Sequence, residues 1–231
     1  MINKKVAILQ SNYIPWKGYF DLINLVDEFI IYDDVQYTKN DWRNRNKILT
    51  HNGVQWLTIP VKQEKLNQKI NETKVFDKRW NIKHWRTLQQ NYSKASYFEH
   101  YKYALEHLYL TTNTEYLSQI NYLFITEICK QLGIKTKITW SDQYNYGLGK
   151  TERLVQLVQA TGGNEYISGP AAKEYLNEKL FRNAGIKVTW MDYSGYPEYH
   201  QLHAPFEHNV SILDLIFSEG PNASKFLKSF S

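Results

Sequence analysis

The sequence predicts an α/β sandwich with a largely parallel sheet. Three observations carry that expectation. Short apolar runs alternate with helical stretches along most of the chain, the pattern of strands joined by crossover helices. The opening 47 residues already hold a strand–helix–strand unit. Polar residues gather where its two strands end, as at the ligand-binding edge of open α/β sheets.

Residues 6–9 (VAIL) are an apolar β-type run bounded by Gln10, Ser11 and Asn12. Pro15 and Gly18 break the strand and open a helix over 19–26, where Tyr19, Leu22, Ile23 and Val26 share one face. Residues 29–32 (FIIY) form the second strand and end in Asp33 and Asp34. Gln10 to Tyr13 and Asp33 to Gln36 are therefore expected side by side. Lys17 follows closely, and the loop 37–47 adds Lys39, Asp41, Trp42, Arg43, Asn44, Arg45 and Lys47. The competing explanation is a solvated loop whose aspartates cap turns.

Asn52-Gly53 signals a hairpin with a type I′ turn between strands at 47–50 and 55–61. Residues 62–69 read as an exposed loop and 70–76 as a short strand. Helices over 80–92, 97–110 and 116–132 make a helical block, with Gly133 as a C-cap. His84 lies in the first of these. It is the histidine chosen as a base, against the alternative of a buried, hydrogen-bonded core residue. Residues 135–140 alternate like a strand. Gly147 to Thr151 lacks the GxxxxGK[ST] spacing of a phosphate loop, yet Lys150 at a glycine-lined helix start suits a phosphate. That helix covers 152–160. Residues 165–168 give another strand, with Ser168 at its carboxyl end, placed either to meet a phosphate or to cap a helix at 171–176. A strand at 186–191 and a helix at 211–217 finish the pattern. His200 and His203 are spaced i, i+3, but Pro197 and Pro205 argue against a helix there, and no metal site is expected. With no repeat or linker, the expectation is one Rossmann-like domain over 1–231, with an inserted β-hairpin and a helical block over about 80–132.

The 231 residues suffice for a sizeable core. Aromatics reach 15%, led by 18 Tyr and 7 Trp, side chains with flat apolar faces and polar tips that suit sugar or base stacking as well as cores. A net charge of +5 is compatible with phosphates or an acidic sugar nucleotide. No Lys/Arg tract, helix–turn–helix or zinc-finger pattern supports nucleic acid as a partner. Cys129 is alone, which excludes an intramolecular disulfide. The start runs into the first strand without a signal-peptide core, and no apolar run reaches about 18 residues. The expected location is cytoplasmic, without membrane insertion.

The stretch LQSNYIPWKGYFDLINLVDEFIIYDDVQYTKNDWRNRNKI resembles the opening of WbqC-like proteins. QWLTIPV, KHWRTLQQNYSKASYF, EYISGPAAKEYL and FEHNVSILDLIF extend that resemblance over nearly the whole chain. The resemblance implies a role in bacterial surface-polysaccharide (O-antigen) biosynthesis, with a nucleotide-linked or amino sugar as substrate. The specific expectation is a transferase, with acyl or aminoacyl transfer from a donor to an amino sugar and no bound cofactor. Asp33, Asp34 and His84 are the candidate catalytic residues. Arg43, Asn44, Arg45 and Lys39 would stabilise developing charge, and Gln10, Tyr13, Lys17, Gln36, Lys150 and Ser168 would position substrate.

Three alternatives stay open. The strand, Pro-x-x-Gly, helix opening is faintly similar to HxGH-type nucleotidyltransferases and pantothenate synthetases, which would make this a nucleotidyltransferase or ATP-dependent ligase. Pro15-Trp16-Lys17-Gly18 stands where those enzymes hold triphosphate with two histidines. A non-catalytic binding or scaffold protein of glycan assembly needs no complete catalytic motif. Nucleic-acid binding or modification rests on the pI of about 9.0 and the aromatics alone.

Overall fold

A computed structural model describes residues 3–230. Its centre is a five-stranded sheet in which every pairing is parallel. The strands are β1 (Lys5–Leu9), β2 (Glu28–Ile31), β7 (Lys137–Trp140), β8 (Glu165–Ser168) and β9 (Lys187–Trp190). Their spatial order is β7-β2-β1-β8-β9. The chain thus builds outward from β1 on one side, then crosses over and builds outward on the other. Strand order reverses between β1 and β8, and there the loops leaving the two strands part to open a crevice.

Strand periodicity sorts side chains onto two faces. Val6, Ile8, Ile30 and Tyr166 join one apolar cluster with Val155, Leu157 and Val158 of α5 (Thr151–Ala160) and Phe181 of α6 (Glu178–Asn183). Ala7, Phe29, Ile31 and Ile167 face the larger cluster on the other side. That cluster takes in α1 (Lys17–Asn24), α7 (Ile212–Glu219) and the helical block of α2 (Trp80–Tyr92), α3 (Phe98–Thr111) and α4 (Leu117–Leu132). The near-continuous apolar character of β1 and β2 follows from burial on both faces. Cys129 is buried in α4, and that burial pushes its thiol up to about 12.

Between β2 and α2 lie the hairpin β3 (Arg45–Thr50) and β4 (Gly53–Thr58) and a small antiparallel pair, β5 (Val61–Lys62) and β6 (Lys74–Val75). The stretch 70–76 is mostly a 3₁₀ turn (Ile70–Glu72), and only its end pairs as a strand. The hairpin turn also differs from expectation. Thr50 pairs with Gly53, so the two central residues are His51 and Asn52, neither at positive φ. The positive φ falls instead on Gly53, at +92°, so the turn is not type I′, which needs positive φ at both central residues. A Cβ at Gly53 would meet nothing within 4 Å. Gly53→Ala should therefore cost only its backbone strain, about 1–2 kcal/mol. A urea midpoint shift well beyond that range would show a packing role instead.

The helix expected at 171–176 is a 3₁₀ segment, Pro170–Glu174. The stretch 191–210 contains no regular element and crosses α1. Lys17 Nζ and Pro197 O are 3.0 Å apart, and the Tyr196 hydroxyl donates to Asp21 at 2.5 Å. No helix among the described residues is long and apolar enough to cross a membrane.

Candidate functional site

The crevice at the strand-order reversal has a volume of about 590 Å³, within the range of ligand pockets. Its floor is the carboxyl end of the sheet: Leu9 at the end of β1 and Gln10 after it, Tyr32 after β2, and Tyr166 and Ser168 of β8. Gly169, Ala171, Ala172 and Tyr175 form one wall. Gly149, Lys150, Thr151, Arg153 and Leu154 form the other, which is the first turn of α5 and its approach. No side chain caps α5, so its leading N–H groups carry the partial positive charge of a helix start. Lys150 and Arg153 add two full charges. The Arg153 guanidinium lies beside the Tyr32 hydroxyl, and its Nε is buried without a hydrogen-bond partner. Burial pushes the Tyr32 phenol up, and the adjacent Arg153 opposes that rise. Glu152 sits in the same first turn.

A second depression of about 620 Å³ adjoins the crevice and shares Val35 and Arg153 with it. Asp34 and Gln36 line it, with Lys69, Asp142 and Tyr146. Ser141 Oγ donates to Asp34 at 2.5 Å, and the Tyr146 hydroxyl donates to its other oxygen. Gln36 itself donates to Leu66 O at 2.8 Å.

The three candidate catalytic residues are not brought together. Asp33 is 1% exposed and accepts from Ser11 N at 2.8 Å, Ser11 Oγ at 2.6 Å and Ser118 Oγ. It clasps the ends of β1 and β2 to α4, and no bulk reactant reaches it. His84 lies under the hairpin, 7% exposed, with Nε2 3.2 Å from Thr58 O and Nδ1 2.9 Å from the Tyr13 hydroxyl. A carbonyl only accepts, so Nε2 carries the proton and Nδ1 accepts from Tyr13. Burial lowers the imidazole to about 4, so the ring is neutral. Only Asp34 remains beside a cavity.

The other expected positions divide in the same way. Gln10, Lys150 and Ser168 line the crevice. Tyr13 is fully buried and bonds both His84 and Tyr109. Lys17, 2% exposed, lies 5.2 Å from the Tyr196 and Tyr199 ring centres, and burial lowers its amine to about 8. Arg43 donates to Asn12 Oδ1 and lies 3.6 Å from Asp41. Asn44 donates to Ile59 O at 2.8 Å just beyond the open end of the hairpin, and Lys39 lines a separate shallow pocket beside it. Arg45 lies over the Trp56 ring at 4.2 Å. His200 and His203 diverge, with the His200 backbone bonded to Glu219 and His203 Nε2 3.1 Å from Asn91 O. Tyr32, Thr151 and Arg153 escaped the sequence reading as site residues. Their signal was present: Arg153 follows Lys150 by one helical turn, and Tyr32 closes a strand.

The model of the WbqC-like protein family matches residues 10–226. The chain belongs to the WbqC-like protein family. An uncharacterised protein of Mycobacterium tuberculosis is 50% identical over 226 residues, covering 97% of this chain and 98% of that one. No solved structure matches significantly. The matched range takes in both walls of the crevice, so the site described here belongs to the family domain of this WbqC-like chain.

Proposed function

We propose that this WbqC-like protein binds a nucleotide-linked sugar in the β1/β8 crevice and acts in bacterial surface-polysaccharide assembly as a group transferase. One observation carries the reading: an uncapped helix start, Lys150 and Arg153 converge on a crevice at the strand-order reversal. Backbone N–H groups at a helix N-terminus and a nearby cation favour phosphate oxygens. Tyr32 and Tyr175 add flat faces beside that charge, suited to a base or a sugar ring. Asp34, at the adjoining depression, is the carboxylate best placed to take a proton from an acceptor amine or hydroxyl. Acyl or aminoacyl transfer to an amino sugar is the transfer we propose.

The test is a thermal-shift screen with UDP-, GDP- and dTDP-sugars, ATP and acyl-coenzyme A. A native-state ligand at about 100 times Kd adds roughly 2.7 kcal/mol, or roughly 5–10 °C for a chain of this size. The expected result is such a shift with a sugar nucleotide, with Arg153→Gln weakening affinity about 10- to 100-fold through loss of a charge-assisted bond. A shift with ATP alone would replace this reading with nucleotidyl transfer.

A second reading is favoured by the fates of Asp33 and His84, both held in internal bonds. It is a non-catalytic sugar-nucleotide binder of the assembly machinery. Turnover lost in Asp34→Asn with binding retained would exclude it.

A further inference from the structure

A smaller cavity of about 240 Å³ lies between the loop after β1 and the hairpin, lined by Asn12, Pro15, Trp16, Trp42, Asn46 and Asn209. Two features show that this corner is built rather than incidental. Ile14, a β-branched residue, is held at φ +37°, and Asn46 Nδ2 fixes the loop by donating to Tyr13 O at 3.1 Å and Ile14 O at 2.9 Å. Strain of this kind persists only where the surroundings over-determine it, and it clusters at ligand sites. Trp16 meanwhile lies flat on the first turn of α1, so close to Gly18 that a Cβ there would come within 2.4 Å of the indole.

Beyond the cavity mouth the platform continues across the hairpin. Trp42 and Trp56 are each 39% exposed, with ring centres 5.4 Å apart. Arg45 lies 4.2 Å and Lys47 5.3 Å from the Trp56 ring centre. Among the described residues neither cation has a carboxylate at ion-pair distance, and Arg45 Nε is buried without a partner. Asp41, the carboxylate of this loop, lies 3.6 Å from Arg43. At the opposite rim Glu207 accepts from Asn209 N at 2.7 Å, so the two ends of the surface carry opposite charge.

We propose that this cavity and platform form a carbohydrate subsite for an acidic glycan, separate from the β1/β8 crevice. One pyranose ring would sit in the cavity, its C–H face on Trp42 and its hydroxyls against the amides of Asn12 and Asn209. Its carboxylate, or that of the next residue, would point toward Arg45 and Lys47. Flat indoles and amides match the two faces of a sugar, and the volume is too small for a nucleotide. A nucleic-acid strand fits less well, because the cations form one local pair rather than a groove that tracks a backbone. The subsite lies close to the crevice. Trp16 packs on Tyr193 with ring centres 5.3 Å apart, and a Cβ at Gly169 would lie 3.6 Å from the Tyr193 hydroxyl.

The experiment is a titration of the full chain, without nucleotide, followed by tryptophan fluorescence and saturation-transfer NMR. The probes are a hyaluronan tetrasaccharide, a neutral N-acetylglucosamine tetramer and a short oligothymidylate. The acidic tetrasaccharide should perturb fluorescence and bind at least about tenfold more weakly to Trp42→Ala. Arg45→Gln should weaken it several-fold while leaving the neutral tetramer unchanged. No response to either saccharide, equal binding to Trp42→Ala, or tighter binding of oligothymidylate would each overturn the proposal. Because no nucleotide is present, a crevice that fails to bind sugar nucleotides leaves these outcomes unaffected.

Discussion

Asp33→Ala is expected to destabilise the protein by about 3–5 kcal/mol. The carboxylate is buried, and its removal strands the Ser11 N–H, the Ser11 hydroxyl and the Ser118 hydroxyl together. Ser11 Oγ also accepts from Asn121 Nδ2 at 2.9 Å, and Asn121 donates at the same distance to Arg43 O. The loss therefore propagates from the strand ends into α4 and the loop before the hairpin. For a chain of this length it corresponds to a fall of roughly 6–20 °C in Tm. Asp33→Asn keeps one acceptor oxygen and should cost roughly half as much. Thermal melts of the two variants decide the matter. An Asp33→Ala protein as stable as the wild type would return Asp33 to the list of catalytic groups.

The second large effect is a pH dependence of stability assigned to His84. Its imidazole titrates near 4 in the fold, chiefly because burial disfavours the cation, against 6.5 in the unfolded chain. Between those values the unfolded state binds the proton first. The contribution is fully present above about pH 6.5, falls as pH drops, and is gone near pH 4. The gap corresponds to about 3 kcal/mol. Other carboxylates titrate in the same window, so the quantity to measure is the difference between wild type and His84→Gln in urea unfolding at pH 7 and at pH 4.5. Parallel pH profiles for the two proteins would show that His84 is charged or solvated in the fold.

These two residues also show where sequence reading stops. The sheet was legible because β1, β2, β8 and β9 are short apolar runs bounded by turn formers, and α2 was found at its observed bounds from its apolar stripe. The crevice was half legible, since Gln10, Lys150 and Ser168 follow strand ends or open a helix. What decided the role of Asp33 is Ser118, 85 residues away, and what neutralised His84 is the carbonyl of Thr58 on the hairpin. A carboxylate at a strand end looks the same in sequence whether it faces substrate or two serines. Arg153 carries only a faint signal, its place one helical turn after Lys150, and is otherwise an ordinary charge on an amphipathic helix. Only the sheet order turns it toward Tyr32.

The central position of β1 has a consequence for synthesis. One edge of β1 pairs with β2 soon after both emerge, but its other edge pairs with β8, about 160 residues later. At typical translation rates of roughly 5–20 residues per second, that edge waits on the order of 10–30 s for its partner. During that interval Val6 and its neighbours offer an open, apolar template to any passing strand. A ribosome stalled before β8 would hold a nascent chain whose central strand is exposed along one edge, and such chains should depend on chaperones far more than the finished protein does.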